Sequence, residues 1–228
     1  MSRPQFQEEL EGLELEILAM GEFAERSVGR AIEALVSRDP ALAQNVIDSD
    51  DEIDDRYLDV EHRTIQLLAL QTPVASDLRL LSAMLHINLH LERIGDQAVN
   101  IAKIYLSVKD SIGSQTVVSH IHEMGDIVRP MIRTAMEAFR ARDLELCLKL
   151  PEMDDPVDRL NLGMYEEVAA LRGDPGELEW GLRMLVLARN LERVGDNAVD
   201  VAEQVGFLMT GEFREFTDAS HPVNVELE

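Results

Sequence analysis

Apolar side chains recur along this chain in alternating three- and four-residue steps, with charged side chains between them. Phe6, Leu10, Leu13, Ile17, Met20, Ala24, Val28, Ala31 and Leu35 define a long amphipathic helix with a coiled-coil-like seam. It stops at Arg38-Asp39-Pro40, where Asp39 suits an N-cap and Pro40 the first position of the next helix. The spacing predicts a second helix through Leu42, Val46, Ile53, Leu58, Ile65 and Leu68, ended by Gln71-Thr72-Pro73. A third starts near Val74 and carries Leu78, Leu81, Leu85, Leu91, Ile94, Ala98, Ile101 and Ile104. Asp110-Ser111-Ile112-Gly113-Ser114 reads as a linker.

The pattern then begins again. Ile121, Met124, Val128, Ile132, Ala135 and Phe139 make helix four, with Pro130 a site for a kink. Arg142-Asp143 repeats Arg38-Asp39 and opens helix five, and Arg172-Gly173-Asp174-Pro175-Gly176 is the turn into helix six. That last helix carries Leu178, Leu182, Leu185, Leu191, Val194, Ala198, Val201 and Val205. The duplication is direct at Leu91–Lys103 and Leu191–Glu203, where eight of thirteen positions are identical. No strand-like alternation intervenes. The expected fold is all-α, two tandem three-helix bundles over residues 1–110 and 115–211 joined along a common apolar seam, with 212–228 a loosely held tail.

Composition narrows what such a fold would meet. With 21 basic against 44 acidic residues the net charge is −23, which repels nucleic-acid backbones and anionic membrane surfaces and favours cations or a basic protein patch. Cys147 is the one cysteine, so neither an intramolecular disulfide nor a cysteine metal site is available. No apolar run approaches the ~18 residues of a membrane span, and no signal region opens the chain, so a soluble, cytoplasmic protein is expected.

Candidate chemistry lies in the duplicated stretch. Glu92 and Asp96, and again Glu192 and Asp196, stand four residues apart on one helix face, with Asn100 and Asp200 extending each row. The preceding helices supply Asp50, Asp51 and Asp54, which align at an offset of 104 with Asp154, Asp155 and Asp158, whereas acidic Asp55 aligns with Arg159. Antiparallel neighbours can bring such pairs together as carboxylate metal sites do, and all-oxygen donors suit hard cations such as magnesium, manganese or ferric iron. A solvated acidic face is the plain alternative. Gly95 and Gly195, mid-helix at the centre of each row, imply either room for something bulky or close helix packing. Arg93 and Arg193 fit ion-pair partners of the acids or direct phosphate ligands. No Glu-x-x-His accompanies the acids, and His90 is 200° round the helix from Glu92, which speaks against oxygen chemistry.

Leu91-Glu92-Arg93-Ile94-Gly95-Asp96, its copy Leu191-Glu192-Arg193-Val194-Gly195-Asp196, and Thr72-Pro73-Val74-Ala75-Ser76-Asp77-Leu78-Arg79 resemble the PhoU family of bacterial phosphate-uptake regulators. The resemblance runs from about Phe6 to Thr210. It implies a six-helix fold and multinuclear metal clusters on Asp50/Asp54 with Glu92/Asp96, and on Asp154/Asp158 with Glu192/Asp196. Iron or manganese are the metals it implies, with zinc or magnesium as further candidates. It also implies a non-enzymatic adaptor, commonly a homodimer, between the ATPase subunit of a phosphate ABC transporter and a phosphate-sensing histidine kinase. Against that pattern, Pro156 stands between Asp154 and Asp158. A helix restarting there with Asp155 as its cap would leave Asp154 outside and alter the second site. The rival readings are a metal-free scaffold whose acidic faces dock basic partners, and a carboxylate-bridged metal hydrolase or oxidase.

Overall fold

A computed structural model of the chain describes residues 2–71, 73, 76–111, 113–171 and 175–216. Thr72, Val74, Ala75, Ile112, the Arg172-Gly173-Asp174 part of the expected turn and residues 217–228 of the expected tail lie outside the described residues. The chain order is α1 (Arg3–Ser37), α2 (Pro40–Asp48), α3 (Asp50–Gln71), α4 (Ser76–Val108), α5 (Gln115–Ala141), α6 (Leu144–Ala170) and α7 (Pro175–Thr210), with no strand among the described residues.

The two halves start their second rods with the same local device. Arg38 and Arg142 take left-handed backbone angles, with φ of 56° and 54°. Asp39 Oδ1 then accepts from the N–H groups of Ala41 and Leu42, and Asp143 Oδ1 from those of Glu145 and Leu146. The expected second helix is interrupted for one residue at Ser49, giving α2 and α3 where the hydrophobic period runs on unbroken. Ser49 bonds its own hydroxyl to Val46 O, a local alternative to the helical ladder. Asp50, Asp51 and Glu52 then occupy the first turn of α3, where negative charge is favoured. In the second half the rod does not break. Pro151 and Pro156 both lie inside a continuous α6, so the restart at Pro156 does not occur and Asp154 is a helical residue. Buried Cys147, Leu150, Val157 and Met164 hold α6 against its neighbours along its length, and packing of this kind outweighs the bonds the prolines omit.

Each half is a three-helix unit: α1, α2–α3 and α4, then α5, α6 and α7. They join through α4 against α7 and α1 against α5, with one continuous apolar core. The α1–α5 contact is antiparallel and nearly two-fold. A Cβ on Gly21 would lie 2.6 Å from Met136 Cγ, and one on Gly125 would collide with Ile32 Cδ1. Gly125 and Met136 are Gly21 and Ile32 displaced by the 104-residue repeat, so each half inserts one large side chain into the other's glycine gap. Between these points Glu25 is buried and accepts from Arg129 Nε at 2.9 Å and Arg133 Nη1 at 2.5 Å. No helix among the described residues is long and apolar enough to cross a membrane.

Candidate metal centre

The α3–α4 seam assembles four of the predicted acids. Asp50 opens α3 and Asp54 follows one turn later, while Glu92 and Asp96 come from mid-α4. Burial, and after it the charges of Asp54 and Asp96, raise the Asp50 carboxyl above its ordinary range. Glu92 is raised by burial and then by Asp96 and Asp54, with Arg93 pulling the other way. Asp96 is raised by burial and by Asp54, against Lys103. The four carboxylates therefore share one patch of field and strain against one another. Asp50 Oδ1 is moreover buried without a hydrogen-bond partner. Gly95 sits beneath this patch, where a Cβ would lie 2.8 Å from Ile53 Cδ1. Its room is filled by packing.

Among the described residues no group of three or more His, Cys, Asp or Glu side chains stands at coordination spacing. The donor set nevertheless suits a hard cation: oxygen ligands only, Asp50 and Glu92 half-buried and Asp54 and Asp96 exposed, mutually repelling, with one oxygen unsatisfied.

The second seam differs. Asp154 is buried, and a Cβ on Gly195 would collide with its Oδ1, so this glycine makes room for a carboxylate. Glu192 is also buried, and its Oε1 forms an ion pair with Arg189 Nη1 one turn earlier on α7. Its Oε2 is buried without a hydrogen bond. Asp155 and Asp158, both half-buried, line an open hollow of about 460 Å³ together with Arg159, Leu162, Arg189 and Glu192. Asp196 is exposed on α7.

The third members of the two rows stand in different surroundings. Eight residues turn an α-helix by about 80° past two full turns, so the third member of each row is offset by nearly a quarter-turn from the first. Asn100 is exposed and forms no hydrogen bond to the four acids among the described residues. Asp200 instead turns toward α4, where its Oδ2 lies 3.3 Å from His90 Nδ1, and His90 also meets Asn197 Oδ1 at 3.0 Å. Burial raises the Asp200 carboxyl, although His90 and Arg93 favour its charged form. Asp200 and His90 thus bind the two halves together, an arrangement invisible to helical spacing within one element. Sequence reasoning also passed over Arg189, although its counterpart at the 100-residue offset is Leu89 and the difference was there to be seen. Just beyond, the chain folds back: the Phe216 N–H donates to Glu203 Oε1 at 2.5 Å. Residues 212–216 of the expected loose tail therefore return to α7.

The PhoU domain model matches this chain twice, over residues 17–105 and 121–205. The phosphate-specific transport system accessory protein PhoU homologue of Caulobacter vibrioides is 34% identical over 206 residues, covering 90% of each chain. Its Pseudomonas aeruginosa namesake is 34% identical over 218 residues, 95% of this chain and 88% of that one. The crystal structure of PhoU from Pseudomonas aeruginosa superimposes with a TM-score of 0.86 at 33% identity, covering 91% of this chain and all of that one. The phosphate transport system regulatory protein PhoU from Streptococcus pneumoniae gives 0.85 at 28% identity, over 92% and 99%.

Proposed function

The chain belongs to the PhoU family, and from that premise we propose that it is a non-enzymatic negative regulator of phosphate uptake and phosphate-starvation signalling. In this reading it works in the cytoplasm, as a homodimer, between the ATPase subunit of a phosphate ABC transporter and the cytoplasmic region of a phosphate-sensing histidine kinase. The observation that carries it is correspondence over nine-tenths of this chain and of a protein named as accessory to phosphate-specific transport.

The α3–α4 acids give that regulator a cation-responsive surface. Asp50, Asp54, Glu92 and Asp96 would hold a hard cation, iron or manganese in preference to zinc or magnesium. Bound there, the metal supplies charge neutralisation and a cross-link between two helices. The chain's own residues do the rest: Ile53 against Gly95 sets how closely α3 approaches α4, and Arg93 stands at the edge of the acids. Loading would stiffen the seam and change the charge offered to a partner.

The test is a phosphate-starvation reporter in the source organism together with capture of the ATPase subunit and kinase region. Removing the chain should switch the reporter on in phosphate-rich medium. Glu92→Gln with Asp96→Asn should do so in part and weaken capture, as should chelator. A reporter indifferent to removal of the chain would overturn the reading.

A further inference from the structure

Resting on the metal reading above, we propose that the acidic row of the second repeat is closed by the chain's own arginines: Arg189, supported by Arg159, occupies the role of a cation there, and hard cations bind in the first repeat alone.

The duplication supplies an internal control, because both rows descend from one pattern on one scaffold. Glu92 and Glu192, and Asp96 and Asp196, correspond at an offset of 100, and Asp50 and Asp54 correspond to Asp154 and Asp158 at 104. Around these matched acids four substitutions run toward positive charge, while Arg56 to Leu160, Arg63 to Glu167 and Asn100 to Asp200 run against them. Leu89 becomes Arg189, Asp55 becomes Arg159, Glu52 becomes Pro156 and Glu61 becomes Tyr165. Each removes a negative charge, adds a positive one, or does both. Lys103 against Glu203 runs the other way, but Glu203 is buried beneath the returning chain and bonded to Phe216.

The geometry shows the result. The Glu192 side chain is only 10% exposed, and a carboxylate so deeply placed needs a positive partner. Arg189 provides it from the same helix and lines the same hollow as Arg159, Asp155 and Asp158. A guanidinium there is permanently charged, and a divalent ion entering the hollow would meet two of them. In the first repeat the matching position is the half-buried, uncharged Leu89, although an unsatisfied carboxylate oxygen stands in both rows, on Asp50 and on Glu192. Metal therefore loads one end of a pseudo-symmetric body, and the other end is set independently of metal supply.

The experiment uses the full chain stripped of metal and titrated with Mn²⁺ under calorimetry, with bound metal counted by elemental analysis. Wild-type uptake should vanish in Glu92→Gln with Asp96→Asn and persist unchanged in Glu192→Gln with Asp196→Asn. Arg159→Asp with Arg189→Leu, which restores the first repeat's residues, should add a second set of ions bound at least tenfold more tightly than wild type binds them at that row. Arg189→Leu alone should lower Tm, and Mn²⁺ should recover the loss in that variant. Two results would overturn the inference: wild-type uptake halved by the Glu192 and Asp196 changes, or no gained uptake in the restored variant. A wild type that takes up no Mn²⁺ at either row ends the metal reading of the first repeat. The arginine assignment is then decided by the Tm of Arg189→Leu, an unchanged Tm refuting it.

Discussion

Glu203 shows how one buried acid makes the protein answer to pH. Burial, with Asp200 and Glu215 nearby, pushes its carboxyl from an ordinary 4.5 to about 7, although the Phe216 N–H favours the charged form. The folded state therefore prefers Glu203 protonated. The stability this contributes is complete below the unfolded value and is lost as pH rises through about 7, on the order of 3 kcal/mol in all. Tm measured by calorimetry should fall between pH 5 and pH 7, and Glu203→Gln should flatten that slope. The two motif glycines make a second contrast. A Cβ on Gly95 meets the movable end of Ile53, but one on Gly195 meets the buried carboxylate of Asp154. Overpacking of the second kind costs about 1–3 kcal/mol, more than the ~1 kcal/mol that alanine returns as a helix former. Urea unfolding should rank Gly195→Ala as clearly destabilised and Gly95→Ala as nearly neutral.

The rods themselves were legible because their signals are local. A 3.6-residue apolar period, Asp39 and Asp143 ahead of their helices, and the doubled LERxGD stretch are each read within a few residues, and all stand in the structure. The misses arise where two elements compete. Ser49 breaks the second rod through a side-chain bond to Val46, while α6 passes through two prolines because its buried face holds it. Asp200 has the right spacing from Asp196 but turns across to His90 on α4, and Glu192 is matched by an arginine that acid-hunting overlooks. Acid spacing treated both seams alike and could not tell that Glu192 is paired with Arg189. The join between the halves is equally non-local: Glu25 on α1 clasps Arg129 and Arg133 on α5. Because those arginines are 40% and 56% exposed, Glu25→Ala should cost only about 1–2 kcal/mol in chemical unfolding.

Taken as a body, the protein is a duplicated bundle whose halves share a core and differ in charge at one face. The shared parts are geometric: the exchanged glycine gaps of α1 and α5 and the paired caps. The difference is chemical, since repelling carboxylates crowd the α3–α4 seam and arginines answer them at α6–α7. A cation bound at the first seam would stabilise the fold in proportion to its concentration over its dissociation constant, and its hold should weaken as pH falls and Asp50, Glu92 and Asp96 take up protons. The most direct check is anomalous diffraction at the manganese edge from crystals grown with Mn²⁺. A peak lying between the carboxylates of Asp50, Asp54, Glu92 and Asp96 is the expected result. Density there with no anomalous signal, while manganese is held elsewhere on the chain, would contradict it.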